Sequence, residues 1–509
     1  MGVRLPDFVT HLRLLSGVIA RMITTDAIRR PLRRWGERRL ETQYLVENRW
    51  HRPRRLQEDR LAIVRAMFET IDRVLSRPDI APACRKGLVR ALVENTFLGG
   101  LGPIEDFRRR HGHRPPAFVT ISPGQHCNLR CSGCYAASDA SRRARLEYEL
   151  VERIIEDKER LWGSFFTVIS GGEPFLWRSG GRGLLDLARN HPDEFFLVYT
   201  SGTLIDDGLA RQIARAGNIS PAISIEGLQE ETDARRGPGT WLRIQRAFAA
   251  LRAAGVPFGV SMTATRRNAE RLLSDEVLDE VFGRAGAFYG WIFHYMPIGR
   301  DVSFDLMVTP EQRVAMFHRT WQIIRERKLF LVDFWNGGTG SLGCISAGRG
   351  GGYFHIDWNG NVCPCVFNPF ASASIREVYA RGGDLNDALF SPFMTAIRQW
   401  QDDYALDRPP DRMGNLICQC AIRDHAAMMR DLIDEHRPRP ADGDAAGVLE
   451  DPSYWKRLEA YGREVERLTG PIWEAEYVGP ERARAGAGPS GPCRGDDGTR
   501  RREAEKAAC

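Results

Sequence analysis

Six short runs of β-branched and aromatic residues alternate with amphipathic stretches between residues 118 and 295, and this alternation limits the fold more than any other feature of the chain. The predicted strands cover residues 118–121, 166–169, 195–199, 222–225, 258–262 and 289–295. Helices are predicted between them, near residues 146–161, 182–190, 206–216, 241–254 and 273–285. Parallel strands need crossover helices, and right-handed crossovers curl a sheet. The pattern therefore predicts an α/β fold whose core is a partial (β/α)6 barrel of the TIM type.

The chain has 509 residues, which is too long for one ordinary domain, and its composition changes along its length. An all-helical, arginine-rich region is predicted first, the barrel-like core second, and a small, irregular α+β region with five cysteines third. A C-terminal helix and a disordered tail with few apolar residues complete the prediction. The corresponding boundaries are 1–112, 113–334, 335–440, 441–478 and 479–509.

The composition indicates a globular protein of a reducing compartment. Hydrophobic residues make up 43% of the chain and charged residues 27%, which excludes wholesale disorder. Eight of the 11 cysteines fall in tight groups, which favours metal ligation over disulfides. No run of about 18 apolar residues occurs, so a membrane-spanning helix is not expected. We expect a cytoplasmic protein, at most peripheral to a membrane.

Three cysteines, Cys127, Cys131 and Cys134, lie in the loop that follows the first predicted strand. In barrel-like folds the carboxyl ends of the strands carry the active site. Three thiolates at this spacing can bind three irons of a 4Fe-4S cluster and leave the fourth iron without a protein ligand. The alternative is a zinc knuckle, which needs four ligands and usually has paired two-residue spacings. The loop is therefore interpreted as a cluster site with a chemical role.

The C-x3-C-x2-C spacing, followed by Tyr135, resembles the signature loop of the radical SAM superfamily. At the end of the second predicted strand, Gly171-Gly172-Glu173-Pro174 is similar to the family's glycine-rich segment, which holds the amino group of S-adenosylmethionine. The resemblance covers about residues 113–330. It implies further cofactor contacts at Ser201, Ser224, Glu226, Asn268 and Met296. Because alternate residues of a strand point to one side, Ser224 and Glu226 are expected to reach a ribose hydroxyl together.

The resemblance also implies a chemistry. In the family, a reduced 4Fe-4S cluster, held here by the catalytic residues Cys127, Cys131 and Cys134, cleaves S-adenosylmethionine to a 5′-deoxyadenosyl radical that abstracts hydrogen from a substrate. A reducing partner such as ferredoxin or flavodoxin is implied as well. The protein itself would exclude solvent and orient the substrate.

A second group of cysteines surrounds a predicted hairpin that turns at Asn359-Gly360. This region resembles the SPASM or twitch extension that follows many radical SAM cores and binds auxiliary clusters. A full SPASM set needs seven cysteines, so five cysteines imply one auxiliary 4Fe-4S cluster. The predicted ligands are Cys344, Cys365 and Cys420, with Cys418 or Cys363 as the fourth. The alternative is a set of buried free thiols.

Positive charge is concentrated in the N-terminal region, since the first 60 residues hold 14 Arg, no Lys and 7 acidic residues, whereas the whole chain has a net charge of +6. Six arginines recur at helical spacing around Trp35, namely Arg29, Arg30, Arg33, Arg34, Arg38 and Arg39. Such a segment can bind an anionic membrane surface or can be a solvated helix face, and the second interpretation is favoured. No other feature suggests nucleic-acid binding, and none is expected.

The sequence leaves three functions open. The main hypothesis is a radical SAM enzyme that oxidises or crosslinks a peptide or a small metabolite. The alternatives are radical modification of a lipid or hydrophobic metabolite at a membrane surface, and a non-catalytic iron-sulfur or zinc binding module. Around the end of the sixth strand lie Trp291, Phe293, His294 and Tyr295. Only half of them can face a substrate, and core packing is the default for each.

Overall fold

The structure of the protein is a computed structural model that describes residues 25–48, 51–91 and 101–486. The helices are α1 (Asp26–Glu41), α2 (Arg54–Ser76), α3 (Pro82–Val89), α4 (Leu101–His111), α5 (Tyr148–Trp162), α6 (Leu184–Asn190), α7 (Asp207–Ala216), α8 (Gln229–Arg236), α9 (Thr240–Ala253), α10 (Ala269–Leu272), α11 (Asp275–Leu278), α12 (Pro310–Glu326), α13 (Gly338–Ser341), α14 (Ile375–Ala380), α15 (Leu385–Leu389), α16 (Pro392–Gln401), α17 (Ala426–His436), α18 (Gly443–Glu450), α19 (Pro452–Trp473) and α20 (Gly479–Gly486).

The strands are β1 (Phe118–Ile121), β2 (Phe166–Ile169), β3 (Arg178–Ser179), β4 (Arg182–Gly183), β5 (Phe195–Thr200), β6 (Ile219–Ile225), β7 (Gly259–Ala264), β8 (Tyr289–His294), β9 (Phe330–Asp333), β10 (Tyr353–Ile356), β11 (Asn361–Cys363), β12 (Phe370–Ala371), β13 (Ala373–Ser374) and β14 (Arg439–Pro440). Short π-helical turns cover Thr42–Val46, Asp279–Arg284, Asp402–Leu406 and Glu474–Val478, and 3₁₀ turns cover Pro174–Leu176 and Phe304–Leu306.

One large sheet organises the described part of the chain, with the strand order β13-β11-β10-β1-β2-β5-β6-β7-β8-β9. From β10 to β9 every neighbouring pair is parallel. The six predicted strands are β1, β2, β5, β6, β7 and β8, and helices connect them as the alternation required. The predicted α/β fold class is confirmed.

The sheet curls around an interior that is lined by side chains. Val168, Leu197 and Ala222 form an inner cluster, against which both Phe118 of β1 and Trp291 of β8 pack. At the far edges, Phe334, which follows β9, lies 6.1 Å from Tyr353 on β10 between ring centroids. The outward residues of the strands, such as Val119 and Ile121, pack against the helices instead. The sheet is therefore a partial barrel with a distinct inside.

The cysteine-bearing region extends the core sheet, which the sequence did not indicate. The predicted hairpin is formed by β10 and β11, and β10 pairs in parallel with β1 in the register Phe118↔Tyr353. A seventh core strand, β9, was not predicted, because its four residues follow a long helix without any turn signal. The boundary predicted between residues 334 and 335 therefore falls inside one continuous sheet.

The two ends of the chain fit the sequence expectations only in part. The elements described between residues 25 and 111 are helical, as expected for the N-terminal region, and residues 92–100 lie outside the described residues. A disordered tail was predicted from residue 479, whereas residues 479–486 form α20, in which Arg482 Nη1 donates to Glu474 Oε1 at 2.6 Å. Residues 487–509 lie outside the described residues. In the described part of the chain, no helix is long and apolar enough to cross a membrane.

Candidate active site

The loop after β1 carries Cys127, Cys131 and Cys134, whose side chains contact one another around Leu129. The first two thiols are about nine-tenths buried, and the third is half-buried. Arg300 braces the loop by donating to the carbonyl oxygens of Cys131 at 3.2 Å and Ser138 at 2.7 Å. The backbone that follows β8 thus holds the cysteine loop in place.

The glycine-rich segment after β2 packs against the same loop. The Gly172 and Glu173 amides donate to the Gly124 and His126 carbonyls, each at 2.9 Å. A Cβ on Gly172 would lie 2.2 Å from the His126 oxygen, so only glycine allows this approach. The family resemblance implies that these glycines approach the cofactor, and both line the cavity, but the closest neighbour of Gly172 in the structure is protein backbone. The segment therefore positions the cysteine loop.

Glu173 is clamped to the end of β5. One carboxylate oxygen accepts from Thr200 Oγ1 at 2.7 Å, and the other accepts from Ser201 Oγ at 2.7 Å and Ser201 N at 2.9 Å. Burial raises the pKa of this carboxyl, while these hydrogen bonds oppose the shift. Glu173 and the adjoining Pro174 are buried, and neither lines the cavity that begins at the cysteine loop. The contacts link the second and third core strands at their carboxyl ends.

Glu226 and Asn268 are also engaged by protein groups. Glu226 Oε1 accepts from Arg235 Nη1 at 2.6 Å and from Arg236 Nε at 2.8 Å, while its Oε2 is buried without a partner. The Asn268 amide donates to the Glu226 carbonyl at 2.8 Å and to the Thr263 carbonyl at 3.0 Å. Ser224 lines the cavity that begins at the cysteine loop, whereas Glu226 does not line it and instead binds Arg235 and Arg236, which do.

One cavity of about 200 Å³ begins at the cysteine loop and extends along the inside of the sheet. The residues of the sequence prediction that line it are Cys127, Cys131, Cys134, Tyr135, Gly171, Gly172, Ser201, Ser224 and Met296. Its remaining wall combines aromatic side chains, such as Phe118, Trp291 and Phe334, with small hydroxyl side chains and the two arginines Arg235 and Arg236. The cavity therefore joins the predicted cluster and cofactor positions to a compartment with aromatic side chains in its wall.

The thiols of the loop fit a cluster by their chemistry and position. Burial raises the pKa of Cys127 to about 12, and it also raises that of Cys131, although Arg236 and Arg235 oppose this shift. Bound iron would supply the positive charge that keeps such buried thiols ionised. In the described residues, no three His, Cys, Asp or Glu side chains converge on a single-ion site. The residues present fit a 4Fe-4S cluster because the three thiols are grouped together and line the cavity.

In the second cysteine group, the structure brings three of the five thiols together. Burial raises the pKa of Cys365, and the nearby Cys344 and Cys420 thiols add to this shift. Cys418 points elsewhere, with its Sγ 3.9 Å from the Gly462 carbonyl in α19. Cys363 lies on β11 next to Asp357, although it also interacts with Cys365. The three predicted ligands common to both alternatives thus lie together, and the position of the fourth stays a prediction.

Sequence reasoning missed several groups around the cavity. Arg235 and Arg236 line it and were not singled out, although two consecutive arginines soon after a strand end are a detectable signal. His294 was named with Trp291, Phe293 and Tyr295, of which only half were expected to face a substrate, whereas all four line the cavity. The contact that was missed is the pairing of His294 with Asp333 on the unpredicted strand β9. No local pattern identifies such a pair, because its members are 39 residues apart.

The match to a known protein family lies within the barrel core. Residues 121–273 match the family model of the Radical SAM superfamily. The AdoMet-dependent heme synthase of Methanosarcina barkeri is 28% identical over 291 residues, which cover 52% of this chain and 80% of that protein. The sporulation killing factor maturation protein SkfB of Bacillus subtilis is 28% identical over 215 residues, which cover 39% of this chain and 50% of that protein.

Among solved structures, Streptococcus suis SuiB bound to its precursor peptide SuiA matches with 15% identity and a TM-score of 0.49, covering 66% of this chain and 78% of that one. The two sequence relatives match this chain over four fifths and half of their own lengths.

Proposed function

We propose that the chain is a radical SAM enzyme that abstracts hydrogen from a peptide or small metabolite held in the cavity that begins at the cysteine loop. The observation that carries this proposal is the continuity of the cavity, because Cys127, Ser224 and Phe293 all line the same space. The relatives are named for heme synthesis and for maturation of a sporulation killing factor, which supports both substrate classes. The family match makes a non-catalytic module the weaker hypothesis.

Different residues of the cavity would hold the cluster, contact the cofactor and exclude water. Cys127, Cys131 and Cys134 would hold the 4Fe-4S cluster, and Ser201, Ser224 and Met296 would contact S-adenosylmethionine. When bound, these groups supply a 5′-deoxyadenosyl radical. The aromatic side chains of the cavity wall exclude water from the space where the substrate would lie. A ferredoxin or flavodoxin would act as the reducing partner.

We further propose an auxiliary 4Fe-4S cluster at Cys344, Cys365 and Cys420. The support is the mutual proximity of these thiols and their position near Tyr353, a residue of the cavity wall whose pKa is raised by burial and by Cys365 and Cys344.

Simultaneous replacement of Cys127, Cys131 and Cys134 by Ala tests both parts. Reconstituted wild-type protein should hold roughly eight Fe, and the triple variant about four with no formation of 5′-deoxyadenosine. The matched control is Cys84→Ala, because this buried thiol lies in α3, 3.8 Å from the Ala214 carbonyl and outside both groups. Formation of 5′-deoxyadenosine by the triple variant would refute the site, and complete loss of iron would refute the auxiliary cluster.

A second candidate, action on a hydrophobic substrate at a membrane surface, is favoured by the exposed face of α1. Ile28, Leu32 and Trp35 are 37%, 48% and 66% exposed, and they form one apolar stripe at helical spacing. Arg30, Arg34, Arg38 and Arg39 of the same helix are exposed. Such an amphipathic face suits an anionic bilayer.

On the other face of α1, two of the six arginines that the sequence analysis noted around Trp35 pair with acidic residues of α2. Arg29 binds Asp72 at 2.6 Å, and Arg33 binds Glu69 at 2.5 Å and Asp72 at 3.2 Å. These arginines fasten α1 to α2. Fewer of the six arginines around Trp35 therefore remain for an external surface.

Vesicle sedimentation distinguishes a membrane-binding face from a solvated one. With vesicles of phosphatidylglycerol and phosphatidylcholine, Leu32→Glu should abolish binding, whereas Leu242→Glu, at a site 57% exposed on α9, should leave it intact. Each basic residue near the surface contributes about 1 kcal/mol and is screened by salt, so binding should weaken as salt rises. Equal binding by both variants, or none by the wild type at low salt, would contradict this candidate.

A further inference from the structure

A groove of about 360 Å³ lies beside the cysteine loop, and none of the residues that line it also lines the cavity. Its walls include His126, which immediately precedes Cys127, and Trp177, which follows the glycine-rich segment. Cys127 itself lines the cavity. The cysteine loop therefore borders two spaces, and the cavity is only one of them.

The groove is strongly basic, and we call it the arginine groove after the four exposed arginines that line it, Arg142, Arg143, Arg145 and Arg178. Within the described residues, none of the four forms an ion pair. Arg142 Nε donates to the Ala137 carbonyl at 3.1 Å, and Arg178 Nη1 donates to the Trp177 carbonyl at 2.7 Å. Backbone carbonyls thus orient these guanidinium groups without neutralising their charge.

The acidic residues nearby are already engaged. Glu173, the carboxyl among the lining residues, is buried and accepts hydrogen bonds from the end of β5. Asp139 pairs with Arg300 at 3.0 Å, and Glu147 binds Arg376. Because the first 60 residues account for the net positive charge of the whole chain, the arginine groove is a local excess of charge. Its positive potential is available to a partner.

The position of the groove indicates which partner this is. A substrate has to enter the cavity to react there, whereas an electron donor has only to come near the cluster. Arg143 Nη1 lies 3.4 Å from the His126 ring, next to Cys127, so a protein on these arginines is close to the cysteine loop. It would not occupy the residues that line the cavity. An acidic surface suits uncompensated arginines and is steered to them.

We propose that an acidic one-electron carrier protein docks on the arginine groove and reduces the cluster at the cysteine loop. The carrier loses one electron and the cluster gains it, and no bond forms or breaks. This inference rests on the proposed function, and it assigns a surface of this chain to the reducing partner.

Charge reversal in the groove tests the docking surface. Association of an oxidised, acidic flavodoxin with anaerobically reconstituted full-length protein is measured by biolayer interferometry, without reductant or S-adenosylmethionine. One variant is Arg142→Glu/Arg145→Glu. The second is Arg145→Glu alone, because the Arg145 side chain makes no hydrogen bond to the described residues and its replacement does not disturb the loop. The control is Arg211→Glu/Arg215→Glu, which reverses two exposed arginines of α7 outside the groove.

The association rate constant should fall at least about tenfold in the double groove variant and about threefold in Arg145→Glu, and it should stay at the wild-type value in the control. Wild-type association should also slow as salt rises, since the Debye length falls from about 10 Å at 0.1 M to about 3 Å at 1 M. Equal rates in the groove and control variants, or no association of the wild type at low salt, would overturn the proposal.

A second measurement separates docking from chemistry. Dithionite is a small reductant that needs no docking surface, so with it the double groove variant should form 5′-deoxyadenosine like the wild type, while formation driven by flavodoxin should fall. If the variant loses the dithionite-driven reaction as well, the arginines maintain the loop and the proposal is wrong. If the wild type forms no 5′-deoxyadenosine with dithionite, the proposed function fails, whatever the association rates show.

Discussion

Replacement of Arg313 by Met should lower the free energy of unfolding by about 4 kcal/mol. Arg313 lies on α12, is fully buried, and binds both Asp424 oxygens, at 2.5 and 2.8 Å. It also donates to the carbonyls of Trp335 at 3.2 Å and Ile417 at 2.9 Å. Removing one partner of a buried pair costs roughly 3–5 kcal/mol, because the other charge stays buried with less compensation; here Asp424 loses its two contacts with Arg313 and keeps Arg423 Nε at 3.3 Å.

The pair also predicts a pH dependence. Burial opposes ionisation of Asp424, but Arg313 and Arg423 hold the pKa of this carboxyl well below its ordinary value. A carboxyl with a lowered folded-state pKa contributes stability that is complete above its unfolded pKa of about 3.9 and is lost as pH falls through the folded value. The difference between wild type and Arg313→Met should therefore be constant above about pH 5 and shrink below about pH 4.

Urea unfolding followed by tryptophan fluorescence measures this cost. The control is Arg319→Met on the same helix, because the ion pair of Arg319 with Asp275 is largely exposed and should contribute less than about 1 kcal/mol. Asp424→Asn in the Arg313→Met background removes the stranded charge and should restore part of the loss. If Arg313→Met costs no more than Arg319→Met, the reasoning from burial is wrong.

Three further predictions concern the site. Gly172→Ala should lower the iron content of the cysteine loop, because the added Cβ would lie 2.2 Å from the His126 carbonyl oxygen. The control is Gly283→Ala, whose Cβ would have no neighbour within 4 Å and which should bind iron like the wild type. Equal iron contents in the two variants would contradict this prediction. Glu226→Gln should lower the free energy of unfolding by about 2 kcal/mol, because it weakens the contacts of this side chain with Arg235 and Arg236. If the variant instead loses affinity for S-adenosylmethionine at unchanged stability, Glu226 contacts the ribose and this reasoning is wrong. Burial lowers the pKa of His355 to about 3, so between about pH 6 and pH 3 the unfolded chain binds a proton that the folded protein does not. In this range the free energy of unfolding of the wild type should fall by up to about 1.4 kcal/mol per pH unit more steeply than that of His355→Gln. Parallel pH profiles of the two proteins, measured by urea unfolding, would refute this.

The amino-acid sequence by itself determined the features that depend on near neighbours along the chain. Strand and helix periods located β1, β2, β5, β6, β7 and β8, because alternation over a few residues reports which side of an element is buried. The spacing of Cys127, Cys131 and Cys134 identified a cluster loop, since their covalent proximity already limits the geometry.

Only the tertiary structure decided which distant groups meet. The pairing of β10 with β1 joins residues separated by more than two hundred positions, and no local signal encodes it. The family resemblance implied that Glu173 and Glu226 contact the cofactor, and the structure adds that Ser201 and Arg235 are their protein partners. The orientation of a buried side chain follows from the hydrogen bonds that compensate its lost hydration, and those partners come from other strands, so the sequence around each carboxylate does not reveal them.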